Sequence, residues 1–179
     1  MKEKVWLTSD THFCHSAINR YANRPFTVLD EMNEELVRRW NQLVRKDDIV
    51  WHLGDFALGG ADTIRELRAR LNGRIFLVKG NHDHHTNTWY RDCGFERVYD
   101  RPLLVFENML LSHAPIALDC GELINVYGHV HDRCEKKITS HSACVCVEQW
   151  DYYPVEIEEI RRLVLEERKA ERKKANVCD

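Results

Sequence analysis

Short apolar runs recur along the chain at Val5 to Leu7, Ile49 to Trp51, Ile75 to Val78, Leu103 to Phe106, Met109 to Leu111 and Leu123 to Tyr127. Runs this short and this continuous suit strands covered on both faces. Between the first three the period changes. Glu31 to Arg45 sets Leu36, Trp40, Leu43 and Val44 on one helical face, and Asp62 to Leu71 does the same with Ile64, Leu67 and Leu71. Asp30 and Asp62 are of the residue type that caps helix N-termini. Glu107 and Asn108 alone separate two apolar runs, which predicts a hairpin. A last helix is predicted over about 156–175, with Ile157, Ile160, Leu163 and Val164 as its apolar stripe. Acidic residues begin it and basic ones end it, as the helix dipole favours, and its tail past about Glu167 is expected to fray. The first half therefore reads βαβαβ and the second mostly β, predicting one layered α/β domain with mixed sheets over residues 1–179.

Composition narrows the setting. With 44% hydrophobic and 31% charged residues the chain reads as an ordinary globular protein. No apolar run approaches membrane-spanning length, and Met1 to Lys4 leads into a strand-like run without the apolar core of a signal peptide. A cytoplasmic location is expected. The formal net charge of −3 argues against a broad nucleic-acid platform, though not against a small phosphorylated substrate. The seven cysteines form no CxxC pair, and the lone CxC, Cys144 with Cys146, makes no zinc ribbon. They are expected to be free thiols in a reducing compartment.

The candidate chemistry lies where the apolar runs end. The first delivers Asp10 and His12, the second Asp55, the third Asn81, His82 and Asp83, the fifth His113, and the sixth His129 and His131. In α/β sheets the carboxyl ends of the strands form the edge where ligands bind. Asp10/His12 and His129/His131 are i, i+2 pairs, expected to project to one side of an extended segment. Gly54, Gly80 and Gly128 stand just before donor residues and permit close backbone approach. Two carboxylates, one amide and four imidazoles are too many donors for one tetrahedral zinc and about right for two ions that share a bridge.

These residues, in this order, resemble the motifs of the calcineurin-like metallophosphoesterase superfamily: Asp10-x-His12, Gly54-Asp55, Gly80-Asn81-His82-Asp83, His113 and Gly128-His129-x-His131. Their surroundings resemble its small bacterial and phage phosphoesterases. The resemblance spans residues 10–131 and implies an αββα sandwich with mixed sheets and helices on the outer faces. It also implies roles: Asp10, His12 and His131 on a first metal, Asn81, His113 and His129 on a second, and Asp55 bridging them. His82 would stand over the substrate phosphate, with Asp83 fixing its tautomer. The implied reaction is hydrolysis of phosphate esters, phosphodiesters favoured, by a hydroxide bridging two divalent ions. Mixed nitrogen and oxygen ligation suits Mn2+, Fe, Zn2+ or Ni2+, with Mn2+ favoured.

Two other readings stay open. A nuclease would share the chemistry but needs basic residues flanking the site, and Arg70, Arg74, Arg91 and Arg101 are dispersed. A non-catalytic interaction scaffold of the same fold would show gaps in the donor set, and none is present. His15, His52, His84, His85 and His141 lie off the motif positions and read as surface or structural histidines, His84 and His85 being nearest the pocket mouth. Cys14 stands where similar proteins often carry glycine and reads as packing. Arg20 and Arg24 read as exposed, with reach to a substrate phosphate as the alternative. Only Ala114 to Tyr127 separate His113 from Gly128, so the pocket is expected to be open.

Overall fold

The computed structural model describes residues 2–118 and 121–176. Its strands are β1 (Val5–Thr8), β2 (Ile49–His52), β3 (Arg74–Val78), β4 (Arg97–Tyr99), β5 (Leu103–Val105), β6 (Met109–Leu111), β7 (Ile124–Tyr127), β8 (Ser142–Cys144) and β9 (Val155–Glu156). Its helices are α1 (Ile18–Tyr21), α2 (Leu29–Leu43), α3 (Ala61–Arg70), α4 (Asn87–Asp92) and α5 (Ile157–Ala175), with 3-10 turns at His131–Arg133 and Val147–Trp150.

One sheet runs β4-β3-β2-β1-β9, parallel from β1 to β4 and closed by antiparallel β9. The second runs β5-β6-β7-β8; β5 and β6 form the antiparallel hairpin around Glu107, and β6, β7 and β8 are parallel. Successive residues of the first sheet alternate between two cores, as the pleat requires. Trp6, Val50, Ile75 and Leu77 pack with Met32, Leu36 and Trp40 of α2 and Ile64 and Leu67 of α3. Leu7, Trp51 and Val78 face the other way and pack with Met109, Leu111, Ile124 and Val126 of the second sheet. Ile157, Ile160 and Val164 of α5 complete this second core, and α5 touches β1, β8 and β9. The result is an α/β sandwich of two mixed sheets.

Both helix caps differ from the sequence reading. α2 starts one residue before Asp30, with Val28 as its N-cap, and α3 starts at Ala61 behind Gly60. Asp30 and Asp62 occupy the first turns, where they still meet the positive end of the dipole. At α2 no side chain caps the N-terminus, and Glu31 in the first turn instead holds the preceding Thr27, its Oε2 accepting from Thr27 N and Thr27 Oγ1, both at 3.0 Å. Cys14, Cys93, Cys134, Cys144 and Cys146 are free; Cys120 and Cys178 lie outside the described residues. Among those residues no helix is long and apolar enough to cross a membrane.

Candidate metal centre

The carboxyl ends of β1, β2 and β3 and those of β6 and β7 open onto one place. Beyond β1 and β2 the two chains stay paired, with Asp10 N donating to Gly54 O and His12 N to Asp55 O, each at 3.0 Å. Beyond β6 and β7, Gly128 N donates to His113 O at 2.8 Å. The residues between are not extended. Asp10, His12, His129 and His131 have φ of 58°, 48°, 71° and 53°, in the left-handed region. The expected extended i, i+2 geometry is therefore replaced by a coiled backbone, in which Asp10 and His12 approach one group of donors while His129 and His131 go to different ones. Cys14 shares the conformation at φ 62°, which fits a position where glycine would be comfortable.

Close approach of these loops depends on missing side chains at Gly54, Gly80 and Gly128. A Cβ on Gly80 would lie 2.2 Å from Asp55 Oδ1, and one on Gly128 would lie 2.0 Å from Ser9 Oγ and 2.3 Å from Asp10 Oδ2. The loops are also stapled from below. His82 N donates to Asp55 Oδ1 at 2.8 Å, and His129 N to Asp10 Oδ2 at 2.8 Å. Each carboxylate is thus held by one oxygen and presents the other.

The presented atoms fall into two groups. Asp10 Oδ1 stands 3.9 Å from His12 Nε2 and 3.8 Å from His131 Nε2. Asn81 Oδ1 stands 2.9 Å from both His113 Nε2 and His129 Nδ1, which are 3.2 Å apart. Asp55 Oδ2 lies between, 3.5 Å from His12 Nε2 and 3.5 Å from His113 Nε2. His113 Nδ1 faces the Leu53 carbonyl at 2.8 Å; a carbonyl only accepts, so the proton sits on Nδ1 and the Nε2 lone pair points inward.

Two atoms of this centre, Asp10 Oδ1 and His12 Nε2, are buried without a hydrogen-bond partner among the described residues. Buried polar atoms are almost always satisfied. A cation held among oxygen and imidazole donors would satisfy both, so the donor set fits a metal site. Asp10, His12 and His131, and likewise Asp10, Asp55 and His113, lie close enough to hold an ion. Burial pushes the Asp10 carboxyl above its ordinary range, and burial with His131 and Arg24 nearby pushes His12 down to about 2. A neutral imidazole with a free lone pair is the form that binds a cation.

The remaining predicted residues divide. The exposed His82 ring lies 5.2 Å from that of His12 by centroid, on the open side of the centre. Asp83 does not orient it. Its Oδ2 accepts from Asp55 N at 2.7 Å and Gly80 N at 2.8 Å, and its Oδ1 from Phe56 N at 3.2 Å and Tyr90 Oη at 3.3 Å. Buried and fully engaged, Asp83 ties the Asp55 loop to the Asn81 loop instead. Arg24 is buried rather than exposed, and neither faces solvent nor awaits a phosphate: it donates to the Asp10 and Thr11 carbonyls at 2.6 and 2.9 Å and pairs with Glu148 at 2.7 Å. Arg20 is exposed and lies over the Tyr21 ring. His52 is structural, its Nε2 2.9 Å from Thr11 Oγ1. His84 and His85 line a cavity of about 90 Å³ beside His82, where His85 stacks on Trp89.

His15 and Glu148 were not singled out in the sequence as parts of the site, yet both reach it. His15 Nδ1 stands 3.4 Å from His12 Nδ1, and its ring 6.0 Å from that of His82. Its spacing of three residues from His12 was the available signal. Glu148 Oε1 stands 2.9 Å from His131 Nδ1; it lies far along the chain, and no local pattern points to it.

Comparison with known proteins bears on this centre. Residues 3–177 match the model of the calcineurin-like phosphoesterase family. The uncharacterized protein MJ1445 of Methanocaldococcus jannaschii is 50% identical over 82 residues, 45% of this chain and 47% of that protein, so the likeness spans about half of each. The Gene 66 protein of Mycobacterium phage D29 is 29% identical over 89% of this chain and 95% of its own. The crystal structure of AQ665, a protein of unknown function from Aquifex aeolicus, superimposes with a TM-score of 0.71 at 24% identity, covering 90% of this chain and all of that one. The last likeness concerns the fold.

Proposed function

The chain belongs to the calcineurin-like phosphoesterase family, and we propose that it hydrolyses phosphate esters, phosphodiesters foremost, with two divalent cations held side by side. The observation that carries this reading is the placement of Asp55 Oδ2, at 3.5 Å from a donor of each of two groups. A carboxylate oxygen in that position can serve two ions at once. Asp10, His12 and His131 would hold one ion, and Asn81, His113 and His129 the other. This mixture of oxygen and nitrogen donors suits Mn2+, Fe, Zn2+ or Ni2+, and Mn2+ is the ion we take first. When bound, such a pair supplies Lewis acidity toward the phosphate oxygens and makes water more acidic.

The protein's own groups do the rest. In the net reaction water adds to phosphorus, the ester P–O bond breaks, and the leaving oxygen takes a proton. The exposed His82 ring, 5.2 Å from that of His12, would hydrogen-bond a phosphate oxygen and deliver that proton. Asp83 acts through the backbone, keeping the Asp55 and Asn81 loops in register. Only Ala114 to Tyr127 separate His113 from Gly128, and so short a connection would leave the centre open and favour small or end-presented diesters.

Metal content by elemental analysis and turnover of bis(p-nitrophenyl) phosphate and p-nitrophenyl phosphate test the reading. Wild type is expected to hold about two ions per chain and to prefer the diester. Asp55→Asn is expected to lose metal and activity together. His82→Ala is expected to keep its metal and lose ~10²–10⁴ in kcat, the usual worth of a general acid. Fewer than one ion per chain, with turnover unaffected by Asp55→Asn, overturns the dinuclear reading. Loss of metal in His82→Ala makes His82 a ligand. Salt-dependent, low-micromolar binding of an oligonucleotide favours the nuclease alternative.

A further inference from the structure

We propose that Glu148, with Arg24, is a positioning residue for one half of the dinuclear centre: it aims His131 and secures Asp10, and leaves the other half alone. This rests on the reading that Asp10, His12 and His131 share an ion. Glu148 sits on the 3-10 turn Val147–Trp150, which follows β8 and lies outside every motif, 17 residues beyond His131. Its side chain is 4% exposed and its partner Arg24 is fully buried. Arg24 Nε and Nη2 both donate to Glu148 Oε1, at 2.9 and 2.7 Å. The same oxygen lies 2.9 Å from His131 Nδ1.

A carboxylate on Nδ1 fixes the ring. It demands the proton there, which leaves the Nε2 lone pair free, and Nε2 is the atom that faces Asp10 Oδ1 at 3.8 Å. The backbone of the same residue is held as well, since Gln149 Nε2 donates to His131 O at 2.9 Å. On its far side Arg24 reaches Asp10 O and Thr11 O, so one buried ion pair ties the β1 exit to the His131 turn. Neighbouring Cys146 adds an Sγ contact to Asp10 Oδ2 at 3.4 Å, and Val147 N donates to Ser9 O at 3.1 Å. His113, by contrast, takes its orientation from the Leu53 carbonyl, and Asn81 and His129 face each other and His113. Ring orientation at the two halves is therefore set by different groups.

Carboxylates that hydrogen-bond a metal-binding histidine are worth ~10–100-fold in metal affinity. In a calorimetric Mn2+ titration, wild type is expected to bind two ions. Glu148→Gln is expected to weaken one of them ~10–100-fold and leave the other unchanged, with kcat restored at high Mn2+. A second measurement uses the wild-type protein. In the zinc-loaded form, nitrogen NMR of the histidine rings is expected to show His131 protonated at Nδ1 with a proton shift typical of a carboxylate partner. That arm stands even if Glu148→Gln fails to fold for want of a counter-charge to Arg24. Equal weakening of both ions, no weakening of either, or an unprotonated His131 Nδ1 overturns the proposal. Wild type that binds fewer than two ions overturns instead the dinuclear reading beneath it.

Discussion

Asp10, His12, Asp55, His129 and His131 hold their backbones at φ between 48° and 71°. Left-handed backbone costs a non-glycine residue ~1–3 kcal/mol, so the surrounding packing must enforce it. Part of that enforcement is the gap left by glycine. Gly80 has no need of left-handed freedom; it is needed because a methyl there would stand 2.2 Å from Asp55 Oδ1 and 2.7 Å from Asp55 N. Gly80→Ala is therefore expected to push the Asp55 carboxylate from its shared position and to drop bound metal below one ion per chain by elemental analysis. Two ions held at wild-type affinity would contradict that packing. At this scale the donor-bearing residues could be read from the sequence, because each follows an apolar run. The backbone conformation that brings them together could not, since Asp and His do not announce left-handed φ as Gly does. Nor could Arg24 and Glu148, which meet across 124 positions of chain, and the sequence reading of Arg24 as exposed fails because Asp10 O, Thr11 O, Met32 Sδ and Glu148 Oε1 claim its guanidinium.

Elements were legible in proportion to their length. α2, α3 and α5 repeat an apolar stripe over several turns, and six strands stand out as apolar runs. The three-residue β4 and β8, two-residue β9 and six-residue α4 carry too little periodicity to separate from loop. Helix starts slipped for a chemical reason: Asp30 and Asp62 suit a cap and a first turn equally, and the Thr27–Glu31 hydrogen bonds decide for the latter at α2. The stripe of α5 makes a graded test. Ile160 is fully buried in the core shared by both sheets, while Leu165 on the same helix is 51% exposed. Ile160→Ala is expected to cost ~2–5 kcal/mol in urea unfolding, the sum of lost transfer and a cavity. Leu165→Ala is expected to stay within ~0.5 kcal/mol. Similar losses at both positions would mean that α5 does not rest on that core.

At the level of the whole molecule, the two sheets make a joint centre. Asp10, His12, Asp55 and Asn81 come from the ends of the first sheet, and His113, His129 and His131 from those of the second. The packed core between the sheets sets their distance, and at the centre itself buried Asp10 Oδ1 and His12 Nε2 have no hydrogen-bond partner among the described residues. Ions bound there would cross-link the two sheets and remove that desolvation cost together. Binding only the folded state, each ion at a hundred times its dissociation constant adds ~2.7 kcal/mol. For a chain of this size ~1 kcal/mol moves Tm by ~2–4 °C, so one saturated site is worth ~5–10 °C. Mn2+ is expected to raise Tm by at least that much over protein stripped with EDTA. Asp55→Asn, whose amide can no longer neutralise the pair, is expected to lose most of the increment while its metal-free Tm stays near that of wild type. A Tm indifferent to chelation would mean that the seven donor residues cluster without holding an ion. The fold would then stand on its cores alone, and the strained loops at their carboxyl ends would need another cause.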